Sequence, residues 1–425
     1  MAAQQQHGIS RRSRRGWWLV ATVGVGVVGV AAVIGGLVVS PGSRVTHSAS
    51  AGHRVDQAAA RRARAVAALA AAVQFDPSPG ATGLPLNQVV TVSAGQGRLT
   101  DVQASTAAGQ VLSGTLAATG TQWVAPGPLL PGASYTVTAA VADGSGITAR
   151  STSTFTALTP TAEVTASVTP ESGSTVGAGE PISVRFDHQV PVAAQSTVLS
   201  HLRVSMSQVV PGGWYWFSAH ELHFRPQTYW PSGDQVSFAS DLNGWTLGDG
   251  AWGTGTASVH FTIGATNIST ANLTTERMTV TSNGKVVWVF PISAGRTQYP
   301  TMNGTHIALG KQTVVHMVSS TVGIPVHSAN GYDEYVYNDV AISDSGEYVH
   351  AAPWSVSDQG VVNVSHGCIN MSNANSLLFY KFTQPGDVIN VVAGTRPPAY
   401  GDHGVMDWTT PWTSWVPATV AQTTA

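Results

Sequence analysis

The hydrophobic positions of this chain fall into short alternating runs rather than helical periods. Runs such as Val89-Val90-Thr91-Val92 and Tyr135-Thr136-Val137-Thr138 alternate apolar with polar residues, and Gly and Pro separate them. Alternation at every second position is typical of strands that bury one face, and closely spaced turns favour β-sandwiches. The chain is therefore predicted to be mainly β.

Two consecutive regions, residues 75–158 and 159–264, share this pattern. Each places two prolines five positions apart ahead of an alternating strand, which indicates a duplicated module. These prolines are Pro126, Pro131, Pro226 and Pro231. Short strands with frequent turns over this length predict an immunoglobulin-like β-sandwich for each region.

Two groups of aromatic residues need a place in this fold. Residues 214–217 read Trp-Tyr-Trp-Phe, and either the core of the second module or a surface for sugar rings would accommodate them. Trp408, Trp412 and Trp415 lie in the last segment, residues 394–425. Because a cluster of exposed tryptophans is unfavourable, this segment is predicted to be an extension that packs on the domain before it.

Residues 265–393 are predicted to form a β-rich third domain with one short helix. Asn283-Gly284 separates two alternating runs, which is the strongest local signal for a β-hairpin. The helix is expected over residues 373–382, with Ser372 or Asn373 as its N-cap and Pro385-Gly386 as its stop. It is the only convincing short helix that the sequence indicates after residue 74.

The N-terminal region predicts a membrane anchor. Four arginines precede an uncharged apolar stretch from Trp17 to about Val39, which exceeds the roughly 20 residues that a membrane-spanning helix needs. Residues 1–40 are therefore predicted to be a cytoplasmic tail and a transmembrane helix, with a cleaved signal peptide as the alternative. Residues 41–74, Ala-rich in their second half, would form a juxtamembrane stalk, as a helix or a spacer. Everything after residue 40 is then expected outside the cell.

The composition of the chain limits the partners and the cysteine chemistry that can be expected. The net charge is -2 and only 10% of residues are charged, which gives no reason to expect nucleic acid as a partner. The chain has one cysteine, Cys368, so an internal disulfide is impossible. That cysteine is either chemically active or present by chance.

The surroundings of Cys368 favour chemistry. A thiol attacks as the thiolate, and a nearby histidine can take its proton. His350 ends an apolar strand and is the preferred base, whereas His366 is expected to order the loop. Gly367 leaves space for a carbonyl group to approach backbone amides. A zinc site is the main chemical alternative; its ligands would come from His316, His327, His350, His366 and Cys368.

These residues resemble the signature of a known family. The run from Ser365 to Ser372, Ser-His-Gly-Cys-Ile-Asn-Met-Ser, together with His350, resembles the L,D-transpeptidases with a YkuD-type catalytic domain. Residues 300–305, 319–332 and 350–355 resemble further segments of its actinobacterial branch, as does the Trp-rich end of the chain. Two immunoglobulin-like modules behind a membrane anchor are also expected in that branch.

The resemblance implies roles for individual residues. Cys368 would be the acyl-accepting nucleophile and His350 its base, with the backbone carbonyl of Ala351 orienting the ring. The amides of Gly367 and Cys368, with the Tyr332 hydroxyl, would stabilise the oxyanion. The residues implied to line the substrate pocket are Met317, Val322, Trp354, Ser365, His366 and Asn370. Val322 stands where the branch usually has a tyrosine.

The implied activity is the formation of 3→3 cross-links in peptidoglycan. A thioester on Cys368 would form with release of the terminal D-Ala of a tetrapeptide stem, and a neighbouring stem would supply the amine that resolves it. Carbapenem-type β-lactams would acylate the same thiol, and neither a cofactor nor a metal is needed. The alternatives are an L,D-carboxypeptidase, another extracytoplasmic cysteine acyltransferase such as a sortase, and a non-catalytic wall-binding scaffold.

Overall fold

The structure, a computed structural model, describes residues 49–423. This part of the chain is mainly β, as predicted, with few helices. None of its helices combines the length and the apolar character that crossing a membrane requires. The predicted cytoplasmic tail and anchor, residues 1–40, lie outside the described residues.

The Ala-rich part of the predicted stalk is a helix, α1, over Ala49–Ala71. Its last turns are not a free spacer. Leu69 is 4% exposed and belongs to the hydrophobic core of the region that follows, and Val66 and Ala70 pack against that core. The helix therefore ends docked on the first module.

The first module, predicted over residues 75–158, is a sandwich of two antiparallel sheets whose first strand already begins at Val73. One sheet has the strand order β1-β2-β5-β4 and the other β3-β6-β7. The strands are β1 Val73–Asp76, β2 Val90–Ala94, β3 Arg98–Thr106, β4 Thr115–Leu116, β5 Gln122–Ala125, β6 Ser134–Ala142 and β7 Thr148–Thr156.

The alternating pattern of β6 shows how this sandwich forms. Tyr135, Val137, Ala139 and Val141 are all buried, while the residues between them are not. The Tyr135 ring stacks on Phe155 at 5.2 Å between centroids. Its hydroxyl accepts a hydrogen bond from the Leu130 amide at 2.8 Å, the tyrosine-corner contact of immunoglobulin-like sandwiches.

The second module, residues 159–264, is a larger sandwich. Its two main sheets have the orders β10-β18-β15-β12 and β13-β14-β11-β9, and a small third sheet has the order β16-β17-β8. The strands are β8 Ala162–Val164, β9 Ala166–Thr169, β10 Thr175–Val176, β11 Ile182–Phe186, β12 Leu202–Met206, β13 Gly212–Ser218, β14 Glu221–Pro226, β15 Gln235–Asp241, β16 Thr246–Gly248, β17 Ala251–Gly253 and β18 Thr256–Ile263.

The second module contains one helix that was not predicted, and it confirms the predicted core placement of the aromatic run in part. A helix that was not predicted, α2, spans Val192–Ser200 and buries Ala194 and Val198. In the aromatic run, Trp214 is 4% exposed and lies in the core. Tyr215 and Phe217 pack instead on Trp415 of the C-terminal extension, at 5.5 and 6.0 Å between ring centroids. The run is therefore covered on both faces.

The third domain, residues 265–393, contains two sheets around one core. Their orders are β21-β20-β19-β27-β22 and β23-β24-β25-β26. The elements are β19 Asn267–Asn272, β20 Arg277–Ser282, β21 Lys285–Pro291, β22 Gly304–Ile307, β23 Gly310–Val318, β24 Asp333–Ala341, β25 Tyr348–Ala351, β26 Ile369–Met371, α3 Asn373–Phe382 and β27 Val388–Val392, with 3₁₀ helices at Ser319–Val322 and Pro353–Ser355.

Two local predictions in this domain are confirmed. Asn283 and Gly284 form the turn between β20 and β21, with φ of 47° and 78°. Positive φ at both turn residues is the conformation that Asn-Gly favours in two-residue hairpins. The helix α3 has the predicted bounds, and its N-cap is Ser372, whose side chain accepts from the Asn375 amide.

The C-terminal extension, residues 394–425, contacts more of the protein than predicted. It contains α4 Met406–Thr409, a 3₁₀ helix Trp412–Ser414, β28 Val416–Pro417 and β29 Val420–Gln422. The prediction placed it on the third domain alone. However, β28 pairs with β13 and β29 pairs with β12, so the extension adds an edge strand to both main sheets of the second module.

A buried arginine explains why the Trp-rich end of the chain lies on the second module. Arg225, on β14, is 4% exposed. Its guanidinium carbon lies 4.4, 5.1 and 4.6 Å from the ring centroids of Trp408, Trp412 and Trp415. Its Nε donates to the Asp407 carbonyl at 2.8 Å. Cation–π contacts and a charged hydrogen bond thus fix the tryptophans.

A second polar link joins the extension to both neighbours. His403 donates from Nε2 to Glu221 Oε1 of the second module at 2.9 Å, and from Nδ1 to Asp344 of the third domain. The hydrogen bond to Glu221 outweighs burial and, with Asp344, raises the pKa of His403 to about 9. At neutral pH, the charged His403 imidazole therefore donates from both ring nitrogens and links the second module to the third domain.

We expect Arg225→Ala to lower the free energy of unfolding by about 3 kcal/mol, because three cation–π contacts are lost and buried carbonyl groups lose their donor. Urea denaturation followed by tryptophan fluorescence measures this. Arg203→Ala, which removes an exposed arginine of the same module, is the control and should change stability by less than about 0.5 kcal/mol. Equal effects of the two substitutions would show that the cluster contributes nothing.

Candidate active site

The pairing of two parallel strands places His350 and Cys368 on one face of a sheet. In β25 and β26, Val349 pairs with Ile369 and His350 with Asn370. Cys368 directly precedes β26 and lies two residues before Asn370. Because successive side chains alternate between faces, His350 and Cys368 point the same way, and both line one cavity.

The tautomer of His350 is set by its backbone. Its Nδ1 lies 2.9 Å from the Ala351 carbonyl oxygen. A carbonyl only accepts, so the proton is on Nδ1 and the lone pair is on Nε2. Ala351 thus lies where the sequence predicted an orienting carbonyl. A proton leaving a nucleophile would go to Nε2.

The nucleophile loop is held by short polar contacts. Ser365 Oγ donates to the Cys368 carbonyl at 2.6 Å and accepts from the Gly367 amide at 3.1 Å. Thr301 Oγ1, fully buried, donates to the Gly367 carbonyl at 2.8 Å. The Gly367 amide, predicted as an oxyanion donor, is therefore engaged by Ser365 here, and an oxyanion would have to replace that contact.

Gly367 itself is required by this geometry. Its φ is 130°, a conformation that side chains disfavour. An added Cβ would lie 3.3 Å from Glu347 Oε1. A larger residue would therefore strain the backbone and crowd a buried carboxyl group beside the nucleophile.

The resting thiol and imidazole are both uncharged. Burial raises the pKa of Cys368 to about 12; the Tyr348 amide opposes this rise, and the carboxyl groups of Glu347 and Asp339 add to it. Burial also lowers the pKa of His350 to about 4. Both pKa shifts favour an uncharged thiol and imidazole over a thiolate–imidazolium pair, so the thiol loses its proton as it attacks.

The cavity brings together the side chains predicted to bind substrate. Its volume is about 780 Å³. Tyr332 lies on its wall, where burial, Cys368 and Glu334 raise the pKa of its hydroxyl, which therefore stays protonated and able to donate. The predicted binding residues on its wall are Met317, Val322, Trp354, Ser365, His366 and Asn370.

These residues contribute in different ways. Trp354 is 54% exposed at the mouth, with its ring 6.3 Å from His350. Val322 is 46% exposed at the end of a 3₁₀ helix. Asn370 is buried, and its Nδ2 donates to Ser355 Oγ at 3.1 Å. Trp354 and Val322 are thus available to a ligand, while Asn370 supports the wall.

A guanidinium that the sequence reading missed connects the loop over the cavity to the nucleophile loop. Arg296 donates to the Val364 carbonyl at 3.1 Å, to Asn330 Oδ1 at 3.0 Å and to His366 Nε2 at 2.7 Å. The His366 ring in turn lies 5.0 Å from the Tyr332 ring. Because Arg296 donates to Nε2, this nitrogen of His366 is not available as a base, and the ring joins the nucleophile loop to Arg296.

Glu347 and Arg396 also line the cavity and were not predicted. Glu347 Oε1 accepts from the Met302 amide at 3.0 Å and from Arg396 Nη1 at 2.6 Å. The sequence did contain a signal for Glu347, because an acidic residue stands in the apolar strand that leads to His350. No signal in the sequence pointed to Arg396, because it lies 49 residues after Glu347.

Of the histidines of the zinc alternative, His350 and His366 share a cavity with Cys368, whereas His316 is engaged elsewhere. His316 pairs with Asp333 at 2.6 Å and stacks on Tyr335 at 4.4 Å. Between residues 49 and 423, no group of three or more His, Cys, Asp or Glu side chains is arranged to hold a metal ion. The Cys368 thiol donates to the Gly346 carbonyl at 3.7 Å and shares its cavity with the His350 imidazole.

We expect Arg296→Ala to loosen the loop of residues 319–332, because the substitution removes its link through Asn330 to the nucleophile loop. Amide hydrogen exchange in that loop should become on the order of tenfold faster. Lys285→Ala, at the exposed start of β21, is the matched control and should leave amide hydrogen exchange in that loop unchanged. Unaltered protection in Arg296→Ala would show that the loop is held by other contacts.

Two family models match the sequence. The model for a bacterial Ig domain covers residues 81–246, which span most of both sandwich modules. The model for the L,D-transpeptidase catalytic domain covers residues 266–391 and includes His350, Cys368 and every predicted site residue.

Individual proteins of known family extend this match over most of the chain. L,D-transpeptidase 2 of Mycobacterium tuberculosis is 37% identical over 79% of this chain and 82% of its own length. L,D-transpeptidase 5 of the same species is 29% identical over 80% of this chain and 75% of its own length. A solved L,D-transpeptidase in complex with imipenem is 33% identical, covers 55% of this chain and 100% of its own, and has a TM-score of 0.48. The chain therefore belongs to the L,D-transpeptidase family and is a cysteine-dependent transpeptidase.

Proposed function

We propose that this enzyme forms 3→3 peptidoglycan cross-links through a thioester on Cys368. L,D-transpeptidases act on the stem peptides of peptidoglycan. The observation that carries the finer proposal is the His350 tautomer: its Nδ1–H is bonded to the Ala351 carbonyl, which leaves the Nε2 lone pair free, and His350 and Cys368 line one cavity. The substrate is a tetrapeptide stem whose third residue is a diamino acid and whose fourth is D-Ala.

The first half-reaction acylates the enzyme. The thiol proton of Cys368 passes to His350 Nε2 while sulfur attacks the carbonyl that joins the diamino acid to D-Ala. The oxyanion accepts hydrogen bonds from the Cys368 amide and the Tyr332 hydroxyl, and from the Gly367 amide once Ser365 releases it. Collapse of the intermediate breaks the C–N bond, and His350 returns the proton to the departing amine.

The second half-reaction transfers the acyl group. A side-chain amine of a neighbouring stem attacks the thioester, the new amide bond forms, and the C–S bond breaks. The amine proton passes through His350 to the sulfur and restores the thiol. Water in place of the amine would make the enzyme an L,D-carboxypeptidase, which product analysis separates from cross-linking.

The proposed site of action is the outer face of the cell membrane. Residues 1–40 would anchor the chain, residues 41–74 would form the stalk, and the two modules would carry the third domain into the wall. The basic, apolar composition of the N-terminal region supports an anchor. The sandwich folds of both modules support a role as spacers.

We expect Cys368→Ala to abolish covalent labelling by a carbapenem and to abolish cross-linking of tetrapeptide stems. His350→Ala should slow acylation about 10²- to 10⁴-fold, the usual contribution of a general base. Intact-mass spectrometry follows labelling, and chromatography of the stem products follows cross-linking. His188→Ala, which removes an exposed histidine of the second module, should behave as wild type. Full turnover by Cys368→Ala would refute the proposal.

The pH dependence of acylation tests the uncharged resting pair. Because the pKa of His350 is about 4, acylation should decrease on acidification with a midpoint near that value, as His350 takes up a proton and stops acting as a base. The rate should stay level toward neutral pH, since Cys368, with its pKa of about 12, is still a thiol there. Thiolate absorbance in the ultraviolet at neutral pH would contradict this.

A further inference from the structure

One fixed cation lies in the cavity beside the nucleophile. Among the described residues that line the cavity, Arg396 is the only lysine or arginine. Its side chain is 37% exposed. Its Nη1 donates to Glu347 Oε1 at 2.6 Å. A guanidinium has several N–H donors in a planar fork, so this bond occupies only part of its capacity.

Glu347 holds this cation next to the nucleophile loop. The carboxyl group is 4% exposed, and Oε1 also accepts from the Met302 amide at 3.0 Å. An added Cβ on Gly367 would lie 3.3 Å from the same oxygen. Because Gly367 precedes Cys368, the ion pair lies at the side of the cavity where the sulfur attacks.

The second carboxyl oxygen of Glu347, Oε2, indicates that a ligand binds here. Glu347 lines the cavity, yet its Oε2 is buried and has no hydrogen-bond partner within residues 49–423. A buried carboxyl oxygen without a donor is unfavourable, and burial raises the pKa of Glu347 to about 7, so this oxygen is stabilised either by a proton or by an N–H that a bound molecule supplies. The pair therefore offers a cation for a carboxylate and, beside it, an acceptor for an N–H.

The end of the donor stem carries this combination of groups. In its terminal D-Ala, the amide nitrogen of the scissile bond and the free carboxylate are attached to the same carbon. We propose that Arg396 binds the terminal carboxylate of the donor and that Glu347 accepts the adjacent N–H, an inference that rests on the proposed function. The subsite would select stems that end directly after the scissile bond.

One other acid of the cavity, Asp344, is already paired with another residue and does not compete for this cation. Asp344 lines the same cavity, but its carboxylate is bonded to His403, a charged donor. A carboxylate that reaches Arg396 would therefore meet a guanidinium whose remaining donors match its geometry. Hydrogen bonds between such ionised groups are shorter and stronger than neutral ones.

Two donors that differ only at the terminus test this inference. One is the tetrapeptide stem with a free D-Ala carboxylate, and the other is the same stem with a terminal carboxamide. Release of the terminal residue gives kcat/KM for each. The wild type should favour the carboxylate about tenfold, which corresponds to about 1.4 kcal/mol, mainly through KM.

Variants of the ion pair should change this ratio. Arg396→Gln should bring it near one, and Arg396→Lys, which keeps the charge, should restore part of it. Because Arg396→Gln leaves Glu347 without its cation, the double variant Glu347→Gln/Arg396→Gln provides a neutral pair, and it should also give a ratio near one. Lys285→Gln is the control for loss of an exposed cation elsewhere, and it should keep the wild-type ratio.

Failure of the proposed subsite and failure of the proposed function would give different results in this experiment. A wild-type ratio near one, or a wild-type ratio retained in both Arg396→Gln and the double variant, would overturn the subsite while leaving the transpeptidase proposal intact. Failure of the wild type to release the terminal residue from either donor would overturn the proposed function, and the subsite with it.

Discussion

The parallel pairing of β25 with β26 is the constraint on which the site depends. It aligns His350 with Asn370 and leaves Cys368 at the edge of the strand, on the same face. The pairing also brings Glu347 beside Gly367. A slip of one residue in this register would turn Cys368 to the other face. Nucleophile, base and ion pair are therefore consequences of one set of backbone hydrogen bonds.

Around this pair, the protein replaces water with fixed polar groups. Ser365, Thr301 and the Ala351 carbonyl fix the loop and the imidazole through hydrogen bonds. Burial keeps both reacting groups uncharged until a carbonyl arrives. Because its dipoles are already oriented, such a site needs little reorganisation energy during the reaction. Keeping the thiol uncharged also protects it from oxidation, since a thiol reacts much less readily than a thiolate.

The features that the sequence predicted correctly depend on local chemistry. The Asn283-Gly284 hairpin and the Ser372-capped helix each follow from a few adjacent residues, and the nucleophile motif is contiguous. The helix α2 was missed because its Val and Thr residues favour strands when read alone. Arg296, Glu347 and Arg396 were missed because their partners lie tens of residues away in sequence. Residues that perform chemistry can carry a motif, whereas residues that hold them in place rarely do.

The path of the C-terminal extension has a consequence for biogenesis. The second module completes both of its main sheets with β28 and β29, which follow the third domain in the sequence. During synthesis, the edges of β12 and β13 must therefore stay open while more than 150 residues emerge. Open strand edges are prone to pair with other chains. This topology makes completion of the second module wait for synthesis of the whole third domain, and it leaves two strand edges of the nascent chain exposed to mispairing until then.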